Sequence, residues 1–165
     1  MRLAESILSE LDQEAQTTRR LLERIPDDKL AWKPHPKSFS LGQLALHIAS
    51  LPGGFTAAIV NDTREVPNFS QPQPKSRQEV LDTFTKSLES AKETLKTMDD
   101  ARLASTWTLT RNGKAVLSAP RIGVLRSILL NHGYHHRGQL SVYLRMLDVP
   151  LPSIYGPSAD ENPFG

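Results

Sequence analysis

The apolar positions of this chain fall into four stretches of helical period, separated by breaks rich in proline and glycine. Over residues 3–25, Leu3, Ile7, Leu8, Leu11, Leu21, Leu22 and Ile25 recur at mostly three- and four-residue spacings among Glu, Gln, Arg and Thr, which predicts an amphipathic helix. Pro26, Asp27 and Asp28 end it. The following Trp32-Lys33-Pro34-His35-Pro36 reads as a structured loop, because its two prolines lack the amide that a helix needs. Ser40 and Gln43 have the form of a capping box, in which each side chain answers a backbone amide at a helix start. The second helix is expected to run to about Asn61 with Leu44, His47, Ile48, Leu51, Phe55, Ala58 and Ile59 as its stripe. Pro52, Gly53 and Gly54 should kink it or open a turn.

Residues 67–74 read as a loop. Ser76 and Glu79 form a second capping-box pattern, and Val80, Leu81, Phe84, Leu88, Ala91 and Leu95 predict a third helix ending near Met98. Over residues 105–118, two short runs containing Trp107, Leu109, Val116 and Leu117 flank Asn112-Gly113, the dipeptide that best fits a tight hairpin turn; a small exposed hairpin is expected. Pro120 suits the first position of a last helix, whose face is continued by Ile122, Leu125, Leu129, His132, His136, Gln139 and Tyr143 to about Leu147. Pro150, Pro152, Pro157 and Pro163 then predict an irregular tail. The pattern describes one all-α domain over residues 1–165: a four-helix bundle with a small β-hairpin before the last helix and an irregular C-terminal tail.

Composition narrows the chemistry. The chain is 38% apolar and 23% charged, as expected of a globular protein. Its 20 basic and 18 acidic residues give a net charge of only +2, with no dense basic run, so nucleic acid is not an expected partner. No cysteine is present, which removes disulfides, thiolate metal sites and cysteine nucleophiles. No apolar stretch approaches membrane-spanning length, and Glu5 and Glu10 stand where a targeting segment would be basic and then apolar; the expected compartment is the cytoplasm.

Metal chemistry must therefore use histidine. His132 and His136 lie four apart, so on a helix both imidazoles can reach one ion. They follow Leu125 and Leu129 on the inward face, where polar groups need partners. His47 sits between Leu44 and Leu51 on the second stripe, and bundle packing could bring all three rings together. Three neutral imidazoles with an open position describe a catalytic rather than a closed zinc site. A lone histidine is more often a core residue satisfied by a carbonyl or water; the pair on an apolar face and a third on a facing stripe shift the balance toward metal. A metalloprotease is disfavoured, because Gly133, Tyr134 and His135 separate the pair without the glutamate of that motif. His35, between prolines, is expected to be exposed, and His135 to project away from the stripe. Gln139 and Tyr143 are candidates to line a pocket above the ion, and Arg137 reads as a surface or salt-bridge residue.

Asn131-His132-Gly133-Tyr134-His135-His136-Arg137-Gly138-Gln139-Leu140 resembles the signature of the DinB-like family of small helical metalloproteins. The resemblance extends to Trp32-Lys33-Pro34, to Ser40-Leu41-Gly42-Gln43-Leu44-Ala45-Leu46-His47, and to the tail from Pro152 to Glu161. It implies a four-helix bundle, commonly a homodimer, with His47, His132 and His136 as ligands for one divalent ion, zinc or nickel. It also implies a wider group that includes thiol-dependent transferases. Two readings follow. One is a metal-dependent enzyme that activates a low-molecular-weight thiol, or water, toward a small-molecule electrophile in stress or detoxification. The other is a non-catalytic metal-binding protein in which the ion is structural. A fourth protein ligand, for which Asp160 and Glu161 are candidates, would favour the second.

Overall fold

The structure is a computed structural model that describes residues 2–68 and 70–164. Helix dominates: α1 (Leu3–Leu22), α2 (Leu41–Ala58), α3 (Arg77–Lys96), a short α4 (Asp100–Ala104), α5 (Arg121–Val124) and α6 (His132–Met146). A π-helical stretch, Leu125–Asn131, joins α5 to α6. Strands β1 (Thr63–Glu65), β2 (Thr106–Arg111) and β3 (Lys114–Pro120) form one sheet in the order β1-β2-β3. No helix among the described residues is long and apolar enough to cross a membrane.

The local signals act largely as their chemistry dictates. Ser40 Oγ accepts from the Gln43 amide at 3.1 Å while Gln43 Oε1 accepts from the Ser40 amide at 3.0 Å, a complete capping box. The Ser76 signal is half realised, since Ser76 Oγ accepts from the Glu79 amide at 3.1 Å but Glu79 Oε2 accepts from the Lys75 amide, one residue earlier, at 2.7 Å. Pro52 opens no turn: α2 runs through it. Part of the reason is on the facing helix, where Ser87 Oγ accepts from the Gly53 amide at 2.8 Å. Gly53 also permits this approach, because a Cβ there would meet the Ser87 carbonyl oxygen at 2.9 Å.

Two further expectations are corrected, and a third is narrowed. Pro120 is still extended (ψ 138°) and paired with Thr106, so it precedes the helix rather than opening it. Asn112 (φ 51°) and Gly113 (φ 72°) make the expected turn, but the hairpin is not simply an exposed appendage. Trp107 is 1% exposed, with its Nε1 donating to the Ala58 carbonyl at 3.2 Å, and β1 adds to β2 in parallel through Thr63–Thr108, Arg64–Leu109 and Glu65–Thr110. Of the two readings of Arg137, surface or salt-bridge residue, the second holds: it is 2% exposed and ion-paired with Glu14.

The apolar interior forms two clusters. One gathers Leu22, Ile25, Leu44, Ile48, Phe84, Leu140 and Leu144; the other gathers Ile7, Leu11, Ile59, Leu95, Trp107, Leu125 and Leu130. On the last helix the boundary falls between Leu130 and Leu140, and His132, Tyr134, His136 and Arg137 lie in that interval. Each buried leucine contributes about 1.5–3 kcal/mol, whereas an unpartnered buried polar group costs about 1–3 kcal/mol. A polar waist between two apolar clusters thus persists only where its groups are satisfied.

Candidate metal centre

One side of the waist is satisfied within the protein. Arg137 Nη2 donates to Glu14 Oε2 at 2.6 Å and Nη1 to the Glu14 carbonyl at 3.2 Å, while Tyr134 OH donates to Glu10 Oε1 at 2.6 Å. These contacts fix α6 on α1. Burial and the Glu10 carboxylate raise the Tyr134 phenol above its ordinary range, so it remains a donor.

The other side is the histidine group. α2 supplies His47, and α6 supplies His132 and His136 from successive turns, all three partly buried. His132 Nε2 lies 3.2 Å from His47 Nε2 and 2.9 Å from His136 Nε2. The rings meet edge-on rather than stacked, at interplanar angles of 77°, 89° and 87°. Nitrogens arranged around a tetrahedral zinc at its usual Zn–N length lie about 3.3 Å apart, close to the spacing seen here.

Hydrogen bonding among the rings does not account for this convergence. His136 Nδ1 lies 2.7 Å from Gln139 Oε1, so Nδ1 carries the proton and Nε2 presents a lone pair to the group. His132 Nε2–H can donate to one neighbour, which leaves the other neighbour's lone pair facing it. A cation satisfies all three at once. Electrostatics point the same way. Burial, reinforced by the His136, His47 and His135 rings, lowers His132 to about 4. Burial also lowers His47, assisted by His136 and partly offset by the Gln71 side chain, and lowers His136, partly offset by Gln139. All three are neutral at pH 7, the form that binds metal.

His47 and His132 also line a cavity of about 360 Å³, walled by α2, the π stretch and the sheet, with Leu51, Phe55, Trp107, Leu109 and Ile128 prominent. Gln139 and Tyr143 lie off these walls. Gln139 holds His136 instead, and Tyr143 packs edge-on against Trp32 with ring centroids 5.6 Å apart. His35 and His135 are exposed and outside the group, with the His35 ring accepting from the Lys37 amide at 3.2 Å.

The sequence model of the DinB superfamily matches residues 10–140, an interval that holds all three histidines and most of the chain. The chain belongs to the DinB superfamily. A curated relative, the protein YrdA of Bacillus subtilis strain 168, is 28% identical over 151 residues, covering 90% of this chain and 85% of that protein. A DinB-like protein from Bacillus cereus ATCC 10987 matches the fold with a TM-score of 0.70 at 23% identity, covering 92% of this chain and 97% of its own. The DinB-like protein YjoA of Bacillus subtilis gives a TM-score of 0.69 at 20% identity, covering 90% and 96%.

In this DinB superfamily member the acids of the tail are committed elsewhere. Asp160 pairs with Arg145 and accepts from the Leu151 amide, and Glu161 pairs with Arg20. No Asp, Glu or further His joins the three imidazoles among the described residues. Sequence reasoning missed two neighbours of the site, Gln71 near His47 and the hydrogen bond of Gln139 to His136. The second was recoverable, because a carboxamide three residues after a histidine faces it on a helix. Gln139→Leu is expected to weaken divalent-ion binding about 10- to 100-fold, read by competition with a metal indicator, while the helical circular dichroism stays unchanged.

Proposed function

We propose that this protein is a metal-dependent transferase built on a four-helix bundle, with His47, His132 and His136 holding one divalent ion, zinc or nickel. One observation carries the reading: three neutral imidazoles converge at the wall of a cavity large enough for a substrate, with no fourth protein ligand beside them among the described residues. An ion bound there would supply Lewis-acid activation of a low-molecular-weight thiol, or of water, at its open position. The chain's own part is to hold the imidazoles neutral, to fix His136 through Gln139, and to keep the reacting groups among apolar walls. By family resemblance the reading extends to a cytoplasmic homodimer acting on small electrophiles in stress or detoxification. The test loads the purified protein with zinc, nickel or manganese, measures the bound metal, and follows thiol conjugation to model electrophiles. One ion per chain with metal-dependent turnover is expected. Stoichiometric metal without turnover of thiols or esters would favour the structural role, and no bound metal would defeat both.

A further inference from the structure

The cavity beside the histidines has one wall that metal binding does not explain. β1 pairs with β2 so that Arg64 stands opposite Leu109. Leu109 and Trp107 occupy alternate positions of β2, and both line the cavity together with Arg64. The intervening residues belong to the other face. There Thr108 Oγ1 meets Ser118 Oγ at 3.0 Å, and Glu65 accepts from Thr110 Oγ1 at 2.5 Å and from the Asn112 amide. The acid next to Arg64 in sequence is thus turned away and engaged, and no Asp or Glu lines the cavity.

Arg64 is not engaged as Arg102 and Arg121 are. Arg102 and Arg121 both pair with Asp62, whereas among the described residues the Arg64 guanidinium has no ion pair or hydrogen bond. Arg64 is exposed and also lines the cavity, so its guanidinium is suited to an anion held at the solvent side while the rest of the ligand lies against the apolar walls. From His47 to Ala58 the α2 wall is about 16 Å long, and the cavity volume lies within the range of small-molecule sites. A single guanidinium matches one carboxylate, to which it can donate two parallel hydrogen bonds.

We propose that the cavity binds a small amphipathic carboxylate, its apolar body against Leu51, Phe55, Trp107, Leu109 and Ile128 and its carboxylate on Arg64. Only the next step rests on the triad being a metal site: the ligand is then the electrophile, an apolar molecule with a carboxylate remote from the reacting carbon. Arg64 is then a specificity residue.

The test uses isothermal titration of the full chain, zinc-loaded and EDTA-stripped, with octanoate, octanamide and octyl phosphate. Octanoate is expected to bind about 2- to 5-fold more tightly than octanamide in both forms. Arg64→Gln should remove that difference by weakening octanoate alone, with zinc stoichiometry unchanged. Equal binding of octanoate and octanamide, binding of neither, or unchanged selectivity in Arg64→Gln would overturn the proposal. Octanoate selectivity confined to the zinc-loaded form would place the carboxylate on the metal and overturn it too, and tighter binding of octyl phosphate would replace the carboxylate with a phosphate. A chain that binds no zinc yet keeps Arg64-dependent octanoate selectivity would sink the metal reading and leave the anion site standing.

Discussion

Replacing His132 with alanine is expected to abolish stoichiometric metal binding. His132 is the ring whose Nε2 approaches both partners, at 3.2 Å and 2.9 Å, so its loss leaves two imidazoles without the nitrogen between them. Removing an outer partner of a metal ligand costs about 10- to 100-fold in affinity, and loss of a ligand itself should exceed the upper end of that range. The measurement is elemental analysis of dialysed protein. A thermal readout accompanies it: metal at about 100 times its dissociation constant stabilises the chain that binds it by about 2.7 kcal/mol, or roughly 5–11 °C at this size. That rise should appear in the unsubstituted protein and vanish in His132→Ala. Retained one-to-one binding would mean that the ion sits elsewhere.

The largest loss of stability is expected from Arg121→Met. Arg121 is fully buried, and its guanidinium serves segments remote in the chain. Nε donates to the Ile59 carbonyl at 2.9 Å, Nη1 to the Thr106 carbonyl at 2.9 Å and Ser105 Oγ at 2.7 Å, and Nη2 to the Asn61 carbonyl at 2.9 Å and Asp62 Oδ1 at 2.7 Å. The exposed Asp62 keeps solvent, so the ion pair itself matters little; the carbonyls behind it lose their donor outright. Leaving a buried carbonyl without its donor costs about 1–3 kcal/mol, so losing the Ile59, Asn61 and Thr106 contacts together should cost at least about 3 kcal/mol and lower the melting temperature by roughly 6 °C or more for a chain of this size. A fall of less than about 2 °C in metal-free protein would show that water replaces the guanidinium at little cost.

The two substitutions mark what the sequence does and does not disclose. His132 and His136 are legible because helical period places them together whatever the surroundings, whereas His47 rests on its place between Leu44 and Leu51 and on the family resemblance. Burial of arginine is not legible in that way. No pattern of apolar positions marks Arg121 as buried or decides whether Arg137 is a surface or a salt-bridge residue, since their partners are carbonyls and carboxylates supplied by distant segments. One signal was present for Arg121: a cation in the first turn of a helix opposes the helix dipole, so its place there calls for another reason. β1 escaped notice because three residues, Thr63, Arg64 and Glu65, carry no alternation that a reader could use, and parallel pairing with β2 depends on a partner some 45 positions away. Missing that strand hid the wall on which Arg64 stands.

The π stretch that ends immediately before His132 separates two frames within one helix. Leu125 and Leu130 are five apart and both buried, although positions five apart on an ordinary α-helix diverge by about 140°. A stretch of this kind is the trace that a single inserted residue leaves in a helix. The histidines are therefore set by a different count from the leucines that precede them. Deleting one residue between Leu125 and Asn131 would restore a regular spiral and turn the downstream imidazoles by about 100° relative to His47. In a lineage of such chains, the length of this segment would be held constant even where its amino acids were free to drift.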